Sequence, residues 1–214
     1  MLKSSYKQGI YIDKNGVNLL KKCSPWTVKI FRIISIPFAR LLSKTNIHPN
    51  VITLLTIPFA CTAAFFFFKN MLVYGAFFFF ISFLLDCTDG DLARFTNKKS
   101  DFGGKLDRYT DKINNFAMYF GLWYSQYYQT GFGIAGGSIF AAHYLLMFFG
   151  TLFILNYKYK TVFKSVMSYY MPIDQSIIAL FVLPILGLFF YLFPILVITQ
   201  FISHIVLVIK QKRR

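Results

Sequence analysis

Acid is scarce in this chain. Its 214 residues hold 23 Lys and Arg but only eight acidic side chains, for a formal net charge of +15. Charge of both signs together makes up 14% of the residues, against 56% apolar and 20% aromatic. That balance excludes an ordinary soluble domain and fits an integral membrane protein. Cysteine is scarce too. Cys23, Cys61 and Cys87 form no Cys-x-x-Cys pair and make no disulfide framework. The N-terminal stretch is polar and basic, with no early apolar core followed by a small-residue cleavage site, so no cleaved signal peptide is expected. No internal repeat and no second soluble domain are visible. The positive charge lies between and around apolar runs, so membrane lipids explain it, through anionic headgroups and orientation in the bilayer, and nucleic acid does not.

What the chain does have is arranged in order. Residues 1–23 read as a polar, basic arm. Residues 24–45 follow as an amphipathic segment: Trp26, Ile30, Ile34, Phe38 and Leu42 recur every four residues, with Lys29, Arg32, Arg40 and Lys44 mostly elsewhere around the turn. Ser24-Pro25 suits a helix start, Pro37 is expected to bend or break the helix, and the pattern predicts a helix lying in the membrane interface. Asn46-Ile47-His48-Pro49-Asn50 is a turn signal. Apolar runs then predict six spans: Val51 to Phe68, Met71 to Leu85, a third helix opened by Gly103 and apolar from Phe116 to about Tyr127, Ile134 to Leu155, a fifth from an N-cap at Asp174 to about Phe189, and Ile195 to Ile209. Turns are expected at Lys69-Asn70, at Thr130-Gly131-Phe132-Gly133 and at Leu192-Phe193-Pro194. A basic tail, residues 211–214, closes the chain.

With six spans, four segments share one side: the N-terminal arm, the 95–102 link, the 156–173 loop and the tail. Counting the amphipathic segment with the arm (1–45) and Lys210 with the tail, they carry nine, two, three and four Lys/Arg, while the other side has Lys69 alone. This asymmetry predicts both termini in the cytoplasm.

Six of the eight acids fall between Asp86 and Asp111, at the end of one apolar run and the start of another. Carboxylates at the edge of a membrane helix are costly unless compensated, which marks a functional site. On a helix, Asp86, Asp89, Gly90 and Ala93 share one face, and Asp107 and Asp111 share a face of the next. Helices joined by a short link are neighbours, so four carboxylates surround one small volume. Divalent cations relieve their repulsion, and hard oxygen ligands suit Mg²⁺, Mn²⁺ or Ca²⁺ better than zinc. Gly90 and Ala93 leave room for a ligand close to the backbone. Asp91 and Asp101 read as surface or cap residues. His48, His143 and His204 are scattered and read as structural. Gly136-Gly137 suggests a close helix contact of the kind a homodimer uses.

The pattern D-x2-D-G-x2-A-R-x8-G-x3-D-x3-D resembles the signature of the CDP-alcohol phosphotransferase (CDP-alcohol phosphatidyltransferase) family. Asp86, Asp89, Gly90, Ala93, Arg94, Gly103, Asp107 and Asp111 fill its eight fixed positions without a gap. His48-Pro49-Asn50-Val51-Ile52-Thr53 is similar to the Pro-Asn-x-x-Thr segment that often opens the first span of that family. The resemblance implies an all-α membrane protein, six transmembrane helices preceded by an interfacial amphipathic helix, with the catalytic domain at 46–210. It implies transfer of a phosphatidyl group from a CDP-lipid, CDP-diacylglycerol, to an alcohol, with release of CMP. By the same resemblance a two-metal site of Mg²⁺ or Mn²⁺ is held by Asp86, Asp89, Asp107 and Asp111, with Asp111 as general base. Asp86, Asp89, Gly90, Ala93, Arg94 and Gly103 would bind CDP. Lys105, Arg108 and Lys112, with Lys158 and Lys160 on the facing loop, would hold a phosphate on the acceptor or serve as simple counter-charges. Glycerol 3-phosphate, inositol 1-phosphate, inositol and serine stay open as acceptors, the basic residues leaning toward a phosphorylated one. The competing reading is a cation-binding membrane transporter using the acids; transporters place charges near the middle of several broken spans, and here the cluster sits at one mouth.

Overall fold

The computed structural model of the protein describes residues 26–155 and 177–212. Among them every regular element is helical and none is a strand. Helix α1 is Trp26–Leu42, α2 Pro49–Phe68, α3 Leu72–Thr96, α4 Asp101–Trp123, α5 Gly133–Leu155, α6 the single turn Leu183–Ile185, and α7 Phe189–Lys212. A π-helical turn, Tyr124–Tyr128, extends α4, and another, Ile178–Val182, precedes α6. Two helices among the described residues are long and apolar enough to cross a bilayer, α2 with 20 residues and α3 with 25. At 1.5 Å per residue α2 is about 30 Å long, the thickness of the hydrocarbon core.

The chain forms two compact units, Met1–Ala63 with Phe77–Met118, and Ala64–Ala76 with Tyr119–Arg214. In the first, α1 buries Phe31, Ser35, Ile36 and Ala39. Ile36 and Ala39 join Ile52 of α2 and Leu92 and Phe95 of α3 in one apolar cluster. The Phe31 ring packs on Phe80 and Phe83 at centroid distances of 5.3 and 4.7 Å. The stripe Ile30, Ile34 and Phe38 turns the other way and is exposed with Ile33 and Leu41. The helix is therefore apolar on two faces, one packed on the protein and one left for its surroundings. Pro37 does not break it.

Helix boundaries follow local chemistry. His48 caps α2: its Nδ1 accepts the Asn50 amide at 3.2 Å, and Pro49 takes the first helical position. Asn70, at φ 59°, turns the chain where Lys69-Asn70 predicts a turn. Asn97, at φ 57°, ends α3, and the Lys98 amide reaches back to the Ala93 carbonyl at 3.1 Å. Helix α4 opens at Asp101, two residues before the expected Gly103. Ser100 is the cap, its Oγ accepting the Gly103 amide at 3.0 Å. The Ser24-Pro25 start, the basic loop and the Asp174 cap lie outside the described residues.

In the second unit the turn expected at Leu192-Phe193-Pro194 is corrected. The chain turns at Leu186–Leu188, where Gly187 adopts φ 67°, and α7 runs straight through Pro194. Proline leaves the carbonyl four residues back without its helical partner. That carbonyl belongs to Phe190, and the Tyr127 hydroxyl donates to it at 2.7 Å. The fifth span is likewise interrupted: the described part of it is a π-helical turn followed by the single turn α6, ending at Ile185. The close contact expected at Gly136-Gly137 is made within the chain, since a Cβ on Gly136 would lie 2.3 Å from the Tyr127 side chain.

Candidate metal centre

The first unit holds all four motif carboxylates. α3 carries Asp86 and Asp89 near its C-terminal end and α4 carries Asp107 and Asp111 in its early turns. The link between them is four residues, which brings the two faces together. One carboxylate oxygen each from Asp86, Asp89 and Asp107 lies within 4.8 Å of the others. Asp111 stands beside this trio, hydrogen-bonded to the Asp86 carboxyl. The donor set is oxygen alone, from negative groups that repel one another, and it fits a hard divalent cation.

Electrostatics shows the strain that such a cation would relieve. Asp111 is open along its flank. Even so, the protein packed around its carboxyl, with Asp107 adjacent, pushes its pKa up to about 6, against the pull of the Asp86 hydrogen bond. Desolvation also raises Asp107, opposed chiefly by the Arg108 guanidinium and in part by Arg94.

Asp89 is buried, and its Oδ2 accepts the Thr53 hydroxyl of α2 at 2.5 Å. Behind it, the Asn114 amide donates to Thr56 Oγ1 at 3.0 Å, and Thr56 donates to the Thr53 carbonyl at 2.7 Å. Ser82 donates to the Thr56 carbonyl at 3.1 Å. This buried run of polar side chains ties α2, α3 and α4 together next to the trio. Thr53 is legible in the Pro-Asn-x-x-Thr segment; Thr56, Ser82 and Asn114 carry no sequence signal.

Gly90 has open space where a side chain would stand: beyond its own helix backbone, the nearest atom to a Cβ there is an Arg94 nitrogen at 3.7 Å. Ala93 is half-buried. Gly103 is different, since a Cβ on it would come within 2.9 Å of Asn50 Oδ1 and 3.1 Å of Ser100 Oγ. Its lack of a side chain serves the approach of α4 to the start of α2. Lys105, Arg108 and Lys112 are exposed on α4. Lys158 and Lys160 lie outside the described residues.

Asp91 corrects the surface reading. It is fully buried, and its Oδ1 meets Arg94 at 2.5 Å and Arg32 of α1 at 3.4 Å. Ser35 donates to its Oδ2 at 3.5 Å. A buried carboxylate needs such partners, and a surface reading taken from an open motif position cannot see them, because Arg32 and Ser35 lie more than fifty residues upstream. Asp101, at the exposed first turn of α4, fits its reading.

With this geometry in place, comparison with known proteins adds the following. The model of the CDP-alcohol phosphatidyltransferase family matches residues 46–210. The archaetidylinositol phosphate synthase of Pyrococcus horikoshii is 30% identical over 83 residues, which is 39% of this chain and 44% of that protein. The chain's match spans less than half the length of the curated relatives it resembles. The crystal structure of Mycobacterium tuberculosis phosphatidylinositol phosphate synthase (PgsA1) with manganese and citrate superposes with a TM-score of 0.58 at 19% identity, covering 82% of this chain and 88% of that one. The same enzyme with CDP-DAG bound gives 0.55 at 19% identity, over 78% and 89%. These likenesses establish a shared fold.

Proposed function

Because the chain belongs to the CDP-alcohol phosphatidyltransferase family, we propose that it moves the phosphatidyl group of CDP-diacylglycerol onto a phosphorylated alcohol, inositol 1-phosphate before glycerol 3-phosphate, at a two-metal site. Membership makes it a transferase of phospholipid biosynthesis. The observation that carries the finer reading is the convergence of Asp86, Asp89 and Asp107 within 4.8 Å with Asp111 alongside. Those four would hold Mg²⁺ or Mn²⁺. Bound there, such cations would supply Lewis-acid stabilisation of the negative charge that gathers on the diphosphate and the departing CMP.

The chain's own residues do the rest. Gly90 and Ala93 leave the gap that the nucleotide fills, Gly103 lets α4 close on the start of α2, and Arg94 at the rim of the gap offers a fixed positive charge to the diphosphate. Asp111 takes the proton of the acceptor hydroxyl. The acceptor oxygen then bonds the lipid-bearing phosphorus, the bond from that phosphorus to the bridging oxygen breaks, and CMP leaves with that oxygen. Lys105, Arg108 and Lys112 are exposed cations one to two turns or less from Asp107 and Asp111, suited to a phosphate on the acceptor. Lys158 and Lys160 are assigned to the same phosphate. The inositol 1-phosphate preference is supported by the names of the relatives above. The six spans, the interfacial α1, the 1–23 arm and the cytoplasmic placement of the site and both termini belong to this proposal and rest on the charge asymmetry.

An acceptor panel tests it. Purified protein with CDP-diacylglycerol and Mn²⁺ should release CMP with inositol 1-phosphate well above the rate with inositol or serine. Equal or faster release with an unphosphorylated alcohol would overturn the acceptor assignment.

A further inference from the structure

Asp91 has no part in the transfer just described, yet it is completely buried. Its surroundings give it a task. Arg94 lies within reach of two kinds of carboxylate. One is Asp91, contacted at 2.5 Å. The other is the metal trio, since an Arg94 nitrogen lies 3.7 Å from the Cβ position of Gly90, the neighbour of Asp89. The two outcomes differ sharply. A guanidinium turned into the trio would stand where a divalent cation belongs and compete with it. Held on Asp91, it lines the gap left by Gly90, where an Arg94 nitrogen is the nearest atom to the missing Cβ at 3.7 Å.

Arg32 reaches the same Asp91 oxygen at 3.4 Å from α1, and Ser35 donates to the other oxygen at 3.5 Å. Two guanidinium groups, one from each helix, thus meet on one carboxylate. The i, i+3 spacing of Asp91 and Arg94 on α3 makes the hold local, while Arg32 and Ser35 fix the carboxylate that does the holding. We infer that Asp91 is a positioning residue: it keeps Arg94 out of the carboxylate trio and at the nucleotide gap, and it couples that placement to helix α1. This inference rests on the metal-centre reading proposed above.

The test measures Mn²⁺ binding to the purified full-length protein by electron paramagnetic resonance, without any lipid substrate, alongside KM for CDP-diacylglycerol. D91N frees Arg94 for the trio, so Mn²⁺ affinity should fall roughly tenfold, in the range seen when a partner of metal ligands is lost, and KM should rise. D91E should keep both near wild type. Adding R94Q to D91N removes the competing cation, so Mn²⁺ affinity should return to within about twofold of wild type while KM stays high. Mere structural damage would not be repaired by a second substitution. R94Q alone should bind Mn²⁺ like wild type with raised KM, and it decides the matter if D91N fails to fold. Unchanged Mn²⁺ affinity in D91N, a double variant no better than D91N, or weakened Mn²⁺ binding in R94Q would each overturn the inference. A wild-type protein that binds no Mn²⁺ would overturn the metal centre and this inference with it.

Discussion

Asp89 owes its orientation to a hydroxyl 36 residues away in sequence, the Thr53 side chain on another helix. Thr53→Val keeps the shape and removes the donor. Mn²⁺ affinity should fall about tenfold, as for other residues that orient a ligand, and Thr53→Ser should restore most of it; a valine variant that binds Mn²⁺ like wild type would show that Asp89 needs no such partner. Asp111 makes a second prediction at this scale. Its pKa stands at about 6 in the folded protein against an ordinary value of 3.8. An acid raised on folding contributes stability that is present below the ordinary value and lost as pH rises through the folded one. Metal-free protein should therefore melt at a lower temperature at pH 7 than at pH 4.5. Mn²⁺ should raise the melting temperature more at pH 7 than at pH 5, because the cation meets ionised carboxylates there. A metal-induced shift that shrinks between pH 5 and pH 7 would contradict this. The four aspartates were legible from their spacing because helical periodicity fixes which side chains share a face. The distant partners of Asp91, Arg32 and Ser35, are not, because nothing local links them to it.

At the scale of the helix, short-range chemistry decides how much can be read ahead. Lys69-Asn70 and Gly131 announce their turns, and the structure has Asn70 and Gly131 in left-handed conformations. Pro194 misleads, because a proline looks like a terminator until Tyr127, 63 residues away, is seen satisfying the carbonyl it leaves open. The start of α4 differs from the expected Gly103 for a simpler reason. Ser100 is an ordinary N-cap three residues before Gly103, and it, not the glycine, sets where the helix begins. Helix contact also sets limits on substitution. A Cβ on Gly121 of α4 would lie 2.5 Å from the Ala64 carbonyl oxygen of α2, a backbone atom that cannot swing aside. Gly121→Ala should destabilise the protein by about 1–3 kcal/mol, the usual range for overpacking, read as a drop in thermal unfolding temperature in detergent. An unchanged or higher temperature would mean the two helices are free to part.

For the whole molecule, the proposed six-span arrangement sets the positive residues at 1–45, 98–99, 158–164 and 210–214 against Lys69 alone, and two helices among the described residues have the length and composition of spans. Reporter fusions at the C-terminus and in the 158–164 loop should both read cytoplasmic, and one after Asn70 should read external; a C-terminal reporter on the external side would refute the six-span arrangement. The family match and the shared fold explain why so few acids suffice, since one compact constellation supplies all the ligands the proposed reaction needs. The most direct measurement is CMP release from CDP-diacylglycerol and inositol 1-phosphate by wild-type protein and by Asp111→Asn, each with Mn²⁺ and with a chelator. The account predicts release that needs Mn²⁺ and acceptor together, with Asp111→Asn folded and slower than the wild type by about a thousandfold, within the span expected for loss of a general base. Release that persists in the chelator, or an Asp111→Asn variant that turns over like wild type, would contradict it.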